Sequence, residues 1–519
     1  MTSGSGILGS ALWLGVDLGT QSVKVSVVDD VGLVHAAASA PLASTRNGPR
    51  HEQDPRAWVG QTRTAMAAAL TTLTPADRAR IRGVAMCATS GTIATVDVTG
   101  SPVSTGLMYD DSRAGNLSDE VAAADPERWQ RLGYRIQPTW ALPKILWLSR
   151  NGYLADGLRV ATQADVVAAA LTGGPVASDW SHSLKSGYDL IEATWPIRAL
   201  DTLGIDARHL PDVVAPGTVL GHSCADWSTG TGLPERTPVY AGMTDGCAAQ
   251  LSAGTLALGD WHTVIGTTMV VKGVSDRIVI DDSGAVYSHR APHDGLWFPG
   301  GASSVGAGAI TAMFEGVDLA AGTARIADAY TARPDRIPIC YPLVGSGERF
   351  PVVRPDAHGF VRAGHAEYSL LEASGHLDGD ALLASIFLGV ACVERLAVET
   401  MSDAGATVTG SFSTSGGGTR NSWWTQLRAD LLGRALTVPV SAEGSIGMAI
   451  LAAWAAGHRK STADAAAVAT LPETAGRMSL VGRVVEPDPT RRAVLDEHYA
   501  AFRDTLVTRG WVPSERIVA

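Results

Sequence analysis

The chain has 519 residues, of which 45% are hydrophobic and 18% charged, and its net charge is −11. That length suits two to four domains, and that composition supports a large core and speaks against a disordered chain. The acidic balance, with no basic block, speaks against a nucleic-acid partner, although backbone amides can still hold a phosphorylated ligand.

Five scattered cysteines with no CxxC pair indicate neither a disulfide framework nor a zinc site. Met1–Ser10 lacks the basic region of a signal peptide, and the apolar helical run Ile446–Ala456 is too short to cross a bilayer. The expectation is a soluble cytoplasmic protein with no membrane partner.

In chain order, Leu12–Val16 and Val23–Val28 are β-rich and flank a polar tip holding Asp17, Gly19, Thr20, Gln21 and Ser22. Such a tip can offer amides and hydroxyls to phosphate, with Asp17 free for a hydrated Mg²⁺, or it can be an ordinary hairpin loop. Asp54-Pro55 opens an Ala-rich helix running to Leu73. Ile81–Ala88 reads as a strand, broken by Thr89-Ser90-Gly91-Thr92 before Ile93–Val98. Hydroxyls at that break can bind a polyol or satisfy their own backbone. Asp110, Asp111 and Arg113 end an apolar run, where they can bind hydroxyls or form a local salt bridge. Lys144 and Trp147 share a helix face, with Trp147 expected in the core. His182 has no Cys or second His nearby and is not a candidate metal ligand, and Lys185 faces either the site or solvent.

Pro238–Asp245 is the segment around which the chain is organised: a β run, Gly242, the lone carboxylate Asp245, Gly246, then small helix formers. The glycines permit close approach of backbone or ligand. Asp245 can take a proton from a substrate hydroxyl, or it can cap the helix that follows. Asp260–Lys272 then repeats the opening pattern, strand, Gly266-Thr267-Thr268 tip, strand, about half the chain further on. This places the domain boundary at 253/254, giving lobes 1–253 and 254–519. The Gly/Ser run 300–308, with Gly306, can line a nucleotide or pack a helix tightly on a sheet. Cys340–Pro351 reads as a loop and Asp380–Gly405 as one long helix. Gly416-Gly417-Gly418 closes a β run, and a helix begins near Asn421; glycines without Cβ let a flat ligand lie against the backbone, and the helix start favours anions.

Gly15–Asp29 resembles the first phosphate loop of the sugar-kinase, hexokinase and actin superfamily. Asp17-Leu-Gly-Thr20, Gly242-Met-Thr-Asp245-Gly, Gly266-Thr-Thr and Gly416-Gly-Gly-x-x-Asn421 occur in the order seen in FGGY carbohydrate kinases. The resemblance runs from about Leu12 to Gly457 and includes Leu142-Pro-Lys144-x-x-Trp147. It implies a two-lobed, actin/hexokinase-like (ribonuclease H-like) α/β fold with ATP in the cleft, whose closure excludes water. It also implies roles: Asp245 as general base, Asp17 on the metal and substrate side, Thr20 and Gln21 at the first phosphate loop, and Gly266 and Thr267 at the second. Gly417, Gly418 and Asn421 would meet adenosine, with Gly306 nearby. Thr89, Ser90 and Asp111 are the expected sugar contacts. The implied cofactors are ATP and Mg²⁺, and a homodimer is the assembly considered. Met108–Arg113, Val286–Arg290 and Tyr341–Pro351 look most like the D-ribulose kinase branch, so D-ribulose is the expected substrate and D-xylulose or another polyol the alternative. A non-catalytic sugar or nucleotide sensor with this fold is a further alternative. Thr89-Ser90 replaces the Met-His pair of xylulose kinases and the Arg-Glu pair of glycerol kinases.

Overall fold

A computed structural model of the chain describes residues 10–460 and 469–514. The chain forms two compact units. The first comprises Met1–Gly254, His289–Gly295 and Ser441–Leu480; the second comprises Thr255–Ser288, Leu296–Val440 and Val481–Ala519. Two late stretches, 289–295 and 441–480, thus lie with the first unit, where the sequence suggested one change of lobe at 253/254.

The first unit is built on a six-stranded mixed sheet. Its strands run in the order Val219–His222, Pro238–Tyr240, Ile81–Ala88, Leu12–Leu18, Ser22–Asp29 and Val34–Pro41. The last three form an antiparallel meander. Ile81–Ala88 runs parallel to both Leu12–Leu18 and Pro238–Tyr240. The register sets Asp17 beside Cys87 and Tyr240 beside Ala85, and a further bridge joins Ala88 to Thr244. The carboxyl ends of three neighbouring parallel strands therefore meet at one edge, the place where ligands bind in sheets of this kind.

The helix Pro55–Thr71 starts where the sequence places it: the Asp54 carboxylate accepts the Arg56 N–H at 2.9 Å, and Pro55 occupies the first turn. It buries Trp58, Ala65, Met66, Ala69 and Leu70. The helix Gly444–Lys460 lies on the first strand with backbone against backbone. A Cβ on Gly15 would stand 1.7 Å from the Ser445 carbonyl oxygen, and one on Gly447 would stand 1.9 Å from the Ala248 oxygen. Gly15→Ala is therefore expected to cost about 3 kcal/mol or more, read as a large fall in melting temperature or loss of soluble protein. Gly60 is the matched control. It is exposed in the Pro55–Thr71 helix, and a methyl added there would have nothing within 4 Å, so Gly60→Ala should stabilise by about 1 kcal/mol.

The second unit repeats the scheme. Trp297–Ser303, Met269–Gly273, Trp261–Ile265, Phe412–Ser415, Leu436–Pro439 and Val481–Val485 are consecutive in its main sheet. Trp261–Ile265 is antiparallel to Met269–Gly273 and parallel to Phe412–Ser415. The long helix is Gly379–Asp403; by length and composition it could cross a membrane, and it exceeds the Ile446–Ala456 run singled out from the sequence. Its most apolar window is 83% buried inside the protein, and Phe387 on it stacks on Trp424 at 4.8 Å, so it is a core helix. Cys340–Pro351 is not a loop. It lies largely in the strand Ile339–Glu348, which pairs with Arg354–Ala363. Two register shifts in this ladder blur the alternation on which strand recognition depends.

Candidate active site

In the first unit, the strand ends bring Asp17, Thr89 and Asp245 to one edge. Asp17 is the penultimate residue of its strand and sits under the start of the Gly444–Lys460 helix: a Cβ on Gly444 would meet Asp17 Oδ2 at 3.0 Å and Cys87 Sγ at 2.9 Å. The Cys87 thiol lies 3.5 Å from Asp17 Oδ1. Burial first, and then the charge of Asp245, push the Asp17 carboxyl up to about 6; the Cys87 thiol and Lys24 oppose this, and Glu443 adds to it. Burial likewise pushes the Cys87 thiol far up, with Asp17 and Asp245 acting in the same direction.

Asp245 is exposed at the first position of the helix Asp245–Ser252. The N-cap is Thr244, which makes no side-chain capping bond, so Asp245 is one residue past the capping position. Its Oδ1 accepts the adjacent Gly246 N–H at 2.8 Å. Thr244 is fastened from behind: its N–H donates to Ser181 Oγ at 3.1 Å, and the two hydroxyls lie 3.1 Å apart. Ser181 belongs to a buried turn in which Asp179 accepts the Ser181 and His182 N–H groups and pairs with His182 Nδ1 at 2.5 Å. His182 is thus a structural partner of a carboxylate. Burial lowers the His182 pKa, but the Asp179 carboxylate outweighs it and holds the imidazole above its usual value.

The Gly19-Thr20-Gln21 tip is a tight turn, with the Gly19 N–H donating to Ser22 O at 3.1 Å. Gln53, which the sequence did not single out, holds it in place. Its amide donates to Thr20 O at 2.6 Å and Ser44 Oγ at 2.8 Å, and its oxygen accepts Trp58 Nε1 at 2.7 Å.

The three residues expected at the sugar differ in how free they are. Ser90 Oγ is buried and has no hydrogen-bond partner among the described residues. Thr89 Oγ1 is engaged with Thr92 Oγ1 at 2.6 Å and Gln163 Oε1 at 3.1 Å. Asp111 is fully buried, and its oxygens accept from Arg113 and from the His51 N–H at 2.8 Å. Arg113 also pairs with Glu52 at 2.6 Å, and the bonds from Arg113 and His51 keep Asp111 below the usual carboxylate range although burial pushes the other way. Trp147, expected in the core, is only half-buried, with the Arg113 guanidinium 5.2 Å from its ring centroid, while Lys144 on the same helix is completely buried.

In the second unit, the glycine loops converge. The Gly266 N–H donates to Thr268 O at 3.0 Å, closing the hairpin tip, where Thr267 is exposed. The Ala307 N–H donates to Gly266 O at 2.8 Å, and the Gly308 N–H to Thr267 O at 3.0 Å. A Cβ on Gly306 would stand 2.6 Å from Thr267 O. Glu348 braces this stretch by accepting from Ser303 Oγ and the Ser304 N–H, each at 2.8 Å. Gly416, at φ +91°, lies against the end of the neighbouring strand, where a Cβ would meet Ile265 O at 2.4 Å. Gly417 is exposed with open space above it. Asn421 is the N-cap of Ser422–Leu432 and accepts the Trp424 N–H at 3.0 Å, while its amide donates to Thr323 Oγ1 at 2.8 Å. Beneath this loop Arg428, fully buried, forks onto Glu394 at 2.6 and 2.7 Å and reaches Thr414 Oγ1 at 2.7 Å. The exposed Thr267 tip, the open face of Gly417 and the start of the helix Ser422–Leu432 suit a polyphosphate with a flat base.

The sequence of the first unit matches the N-terminal domain of the FGGY family of carbohydrate kinases over residues 12–252, and that family's C-terminal domain matches 262–456. The chain belongs to the FGGY family of carbohydrate kinases. It is accordingly a phosphotransferase with an alcohol acceptor, acting on a sugar and ATP as small molecules. The xylulose kinase of Klebsiella pneumoniae is 26% identical over 454 residues, 85% of this chain and 89% of its own. The gluconokinase of Bacillus subtilis is 24% identical over 470 residues, 86% and 87% of the two chains. The crystal structure of xylulose kinase from Rhodospirillum rubrum has the same fold, with a TM-score of 0.82 at 23% identity over 96% of this chain and 99% of its own.

Proposed function

We propose that this FGGY kinase transfers the γ-phosphoryl group of ATP to a primary hydroxyl of a ketopentose, with D-xylulose as the favoured substrate. The observation that carries the chemistry is the exposed Asp245 beside the half-buried Asp17 at the carboxyl ends of parallel strands. Asp245 accepts the proton of the attacking hydroxyl. In the first unit the Thr20-Gln21 tip, and in the second the Gly266-Thr267 tip with Gly306, are each assigned to phosphate, and Gly417, Gly418 and Asn421 of the second unit to adenosine. Catalysis of this kind is chiefly positioning and charge stabilisation.

Among the described residues no group of three or more His, Cys, Asp and Glu could hold a metal ion. A single carboxylate suits Mg²⁺, which keeps its waters and takes the remaining ligands from nucleotide phosphates. Asp17 fits that part, because a cation would relieve the charge that burial and Asp245 disfavour. Mg²⁺ bound there would neutralise phosphate charge.

The choice of sugar rests on the relatives. Their names favour D-xylulose over D-ribulose, the substrate expected from the local segments. D-Ribulose stands as the second reading because Thr89-Ser90 occupies the position of the Met-His pair of xylulose kinases. The Ser90 hydroxyl, buried and without a partner among the described residues, is the group we assign to a sugar hydroxyl, while Thr89 and Asp111 are already held by protein partners. The deciding experiment measures ADP release with MgATP against D-xylulose, D-ribulose, L-ribulose, ribitol, gluconate and glycerol at matched concentrations. A kcat/KM for D-xylulose at least tenfold above the rest is expected. Preference for D-ribulose would restore the second reading, and absence of turnover with every acceptor would overturn the assignment.

A further inference from the structure

Lys144 is 0% exposed, in the first turns of the helix Ala141–Arg150. Its ammonium donates to Gly91 O at 2.7 Å and to Met108 O at 2.8 Å. These carbonyls belong to two separate stretches of the first unit: the Thr89–Thr92 turn between two strands, and the segment that runs from Met108 into Asp110 and Asp111. Each stretch has a second cationic clamp. Lys185 Nζ donates to Ser90 O at 3.2 Å, and Arg113 forks onto Asp111.

A buried ammonium is costly, and an apolar side chain of similar volume commonly packs as well or better. Here burial lowers the Lys144 pKa to about 7; Asp111 and Asp110 pull it upward, and Lys185 and Arg113 push it further down. The return for that cost is geometric. One atom fixes the separation of two backbone segments that lie 53 and 36 residues from it in sequence.

We infer that Lys144 is a positioning residue for substrate selection: by tying Gly91 O to Met108 O, it sets the spacing of the two segments that meet the sugar and so discriminates between ketopentoses differing in one hydroxyl configuration. This rests on the reading of Thr89–Gly91 and Met108–Asp111 as the sugar side of the pocket.

The test compares full-length Lys144→Met with wild type on the accepted ketopentose and its C3 epimer, at saturating MgATP. The ratio of the two kcat/KM values is expected to fall at least tenfold towards unity, with the sugar KM raised at least tenfold and the ATP KM within twofold of wild type. That ratio does not depend on the fraction of enzyme that is folded, so a merely structural role would leave it unchanged. A ratio within twofold of wild type overturns the inference even if activity or melting temperature falls. Ser90→Ala, measured alongside, separates the two levels. If it raises the sugar KM while Lys144→Met keeps the ratio, the pocket stands and the role of Lys144 fails. If Ser90→Ala leaves the sugar KM unchanged, the pocket reading itself fails. Should Lys144→Met give no soluble protein, amide exchange of the wild type decides: saturating sugar should slow exchange in 89–92 and 108–111 together, and protection of only one segment, or of neither, overturns the coupling.

Discussion

Asp245→Asn is expected to lower kcat by at least about a thousandfold, the scale of a lost general base, while nucleotide binding and melting temperature stay close to wild type. The structure separates these effects. Asp245 is exposed at the first position of its helix, and its Oδ1 accepts the Gly246 N–H. An Asn oxygen can accept the same hydrogen bond, and the isosteric side chain disturbs no packing. The base is lost and the fold is kept. Removing the charge at 245 also removes one of the influences that raise the Asp17 pKa, so a carboxyl titrating near 6 in wild type should move down in the variant. Turnover within a few-fold of wild type, measured as ADP release with the accepted sugar, would eliminate the base role.

Asp17→Asn should have two opposite effects: loss of most turnover, and greater stability above pH 6. The Asp17 carboxyl titrates at about 6 in the folded chain, against 3.8 for an ordinary Asp, so folding favours its protonated form. The stabilisation this provides is complete below pH 3.8, diminishes as the unfolded chain alone ionises, and is gone once pH rises through 6. Ionising Asp17 therefore costs the folded protein up to about 3 kcal/mol at pH 8. Asn, which carries no charge, escapes the cost. The melting temperatures of the two proteins should be close at pH 4, and the variant should be several degrees more stable at pH 8. MgATP should narrow the gap at pH 8 by stabilising the wild type more. Equal melting temperatures at pH 8 without nucleotide would show that Asp17 is not held above its ordinary pKa. A carboxylate kept at a cost to stability fits a residue retained for function.

Much of this site was legible in the sequence because its parts are local. The two strand–Gly-Thr–strand tips and the strand–Gly–Asp–helix turn are short patterns in which turn chemistry and side-chain period agree. The parallel register then brings Asp17, Thr89 and Asp245 together. What was not legible depends on partners distant in the chain. The helix Gly444–Lys460 is apolar on most sides, and nothing in its pattern says which sheet it covers; the answer lies in Gly15 and Gly447, where backbone meets backbone. Lys144 and Trp147 share a face by spacing, but burial went to the cation because two carbonyl acceptors arrive from other segments. The grip of Gln53 on Thr20 was hidden for the same reason. The identity of the sugar is a matter of pocket shape, to which single residue types contribute little.

The chain's thiols offer a practical handle. Cys87, Cys247, Cys340 and Cys392 are buried, and Cys224 alone is partly accessible. Burial holds the Cys87, Cys340 and Cys392 thiols well above their usual range, so they are poor nucleophiles at neutral pH. A maleimide fluorophore should therefore attach to native protein at Cys224 without any cysteine having to be removed.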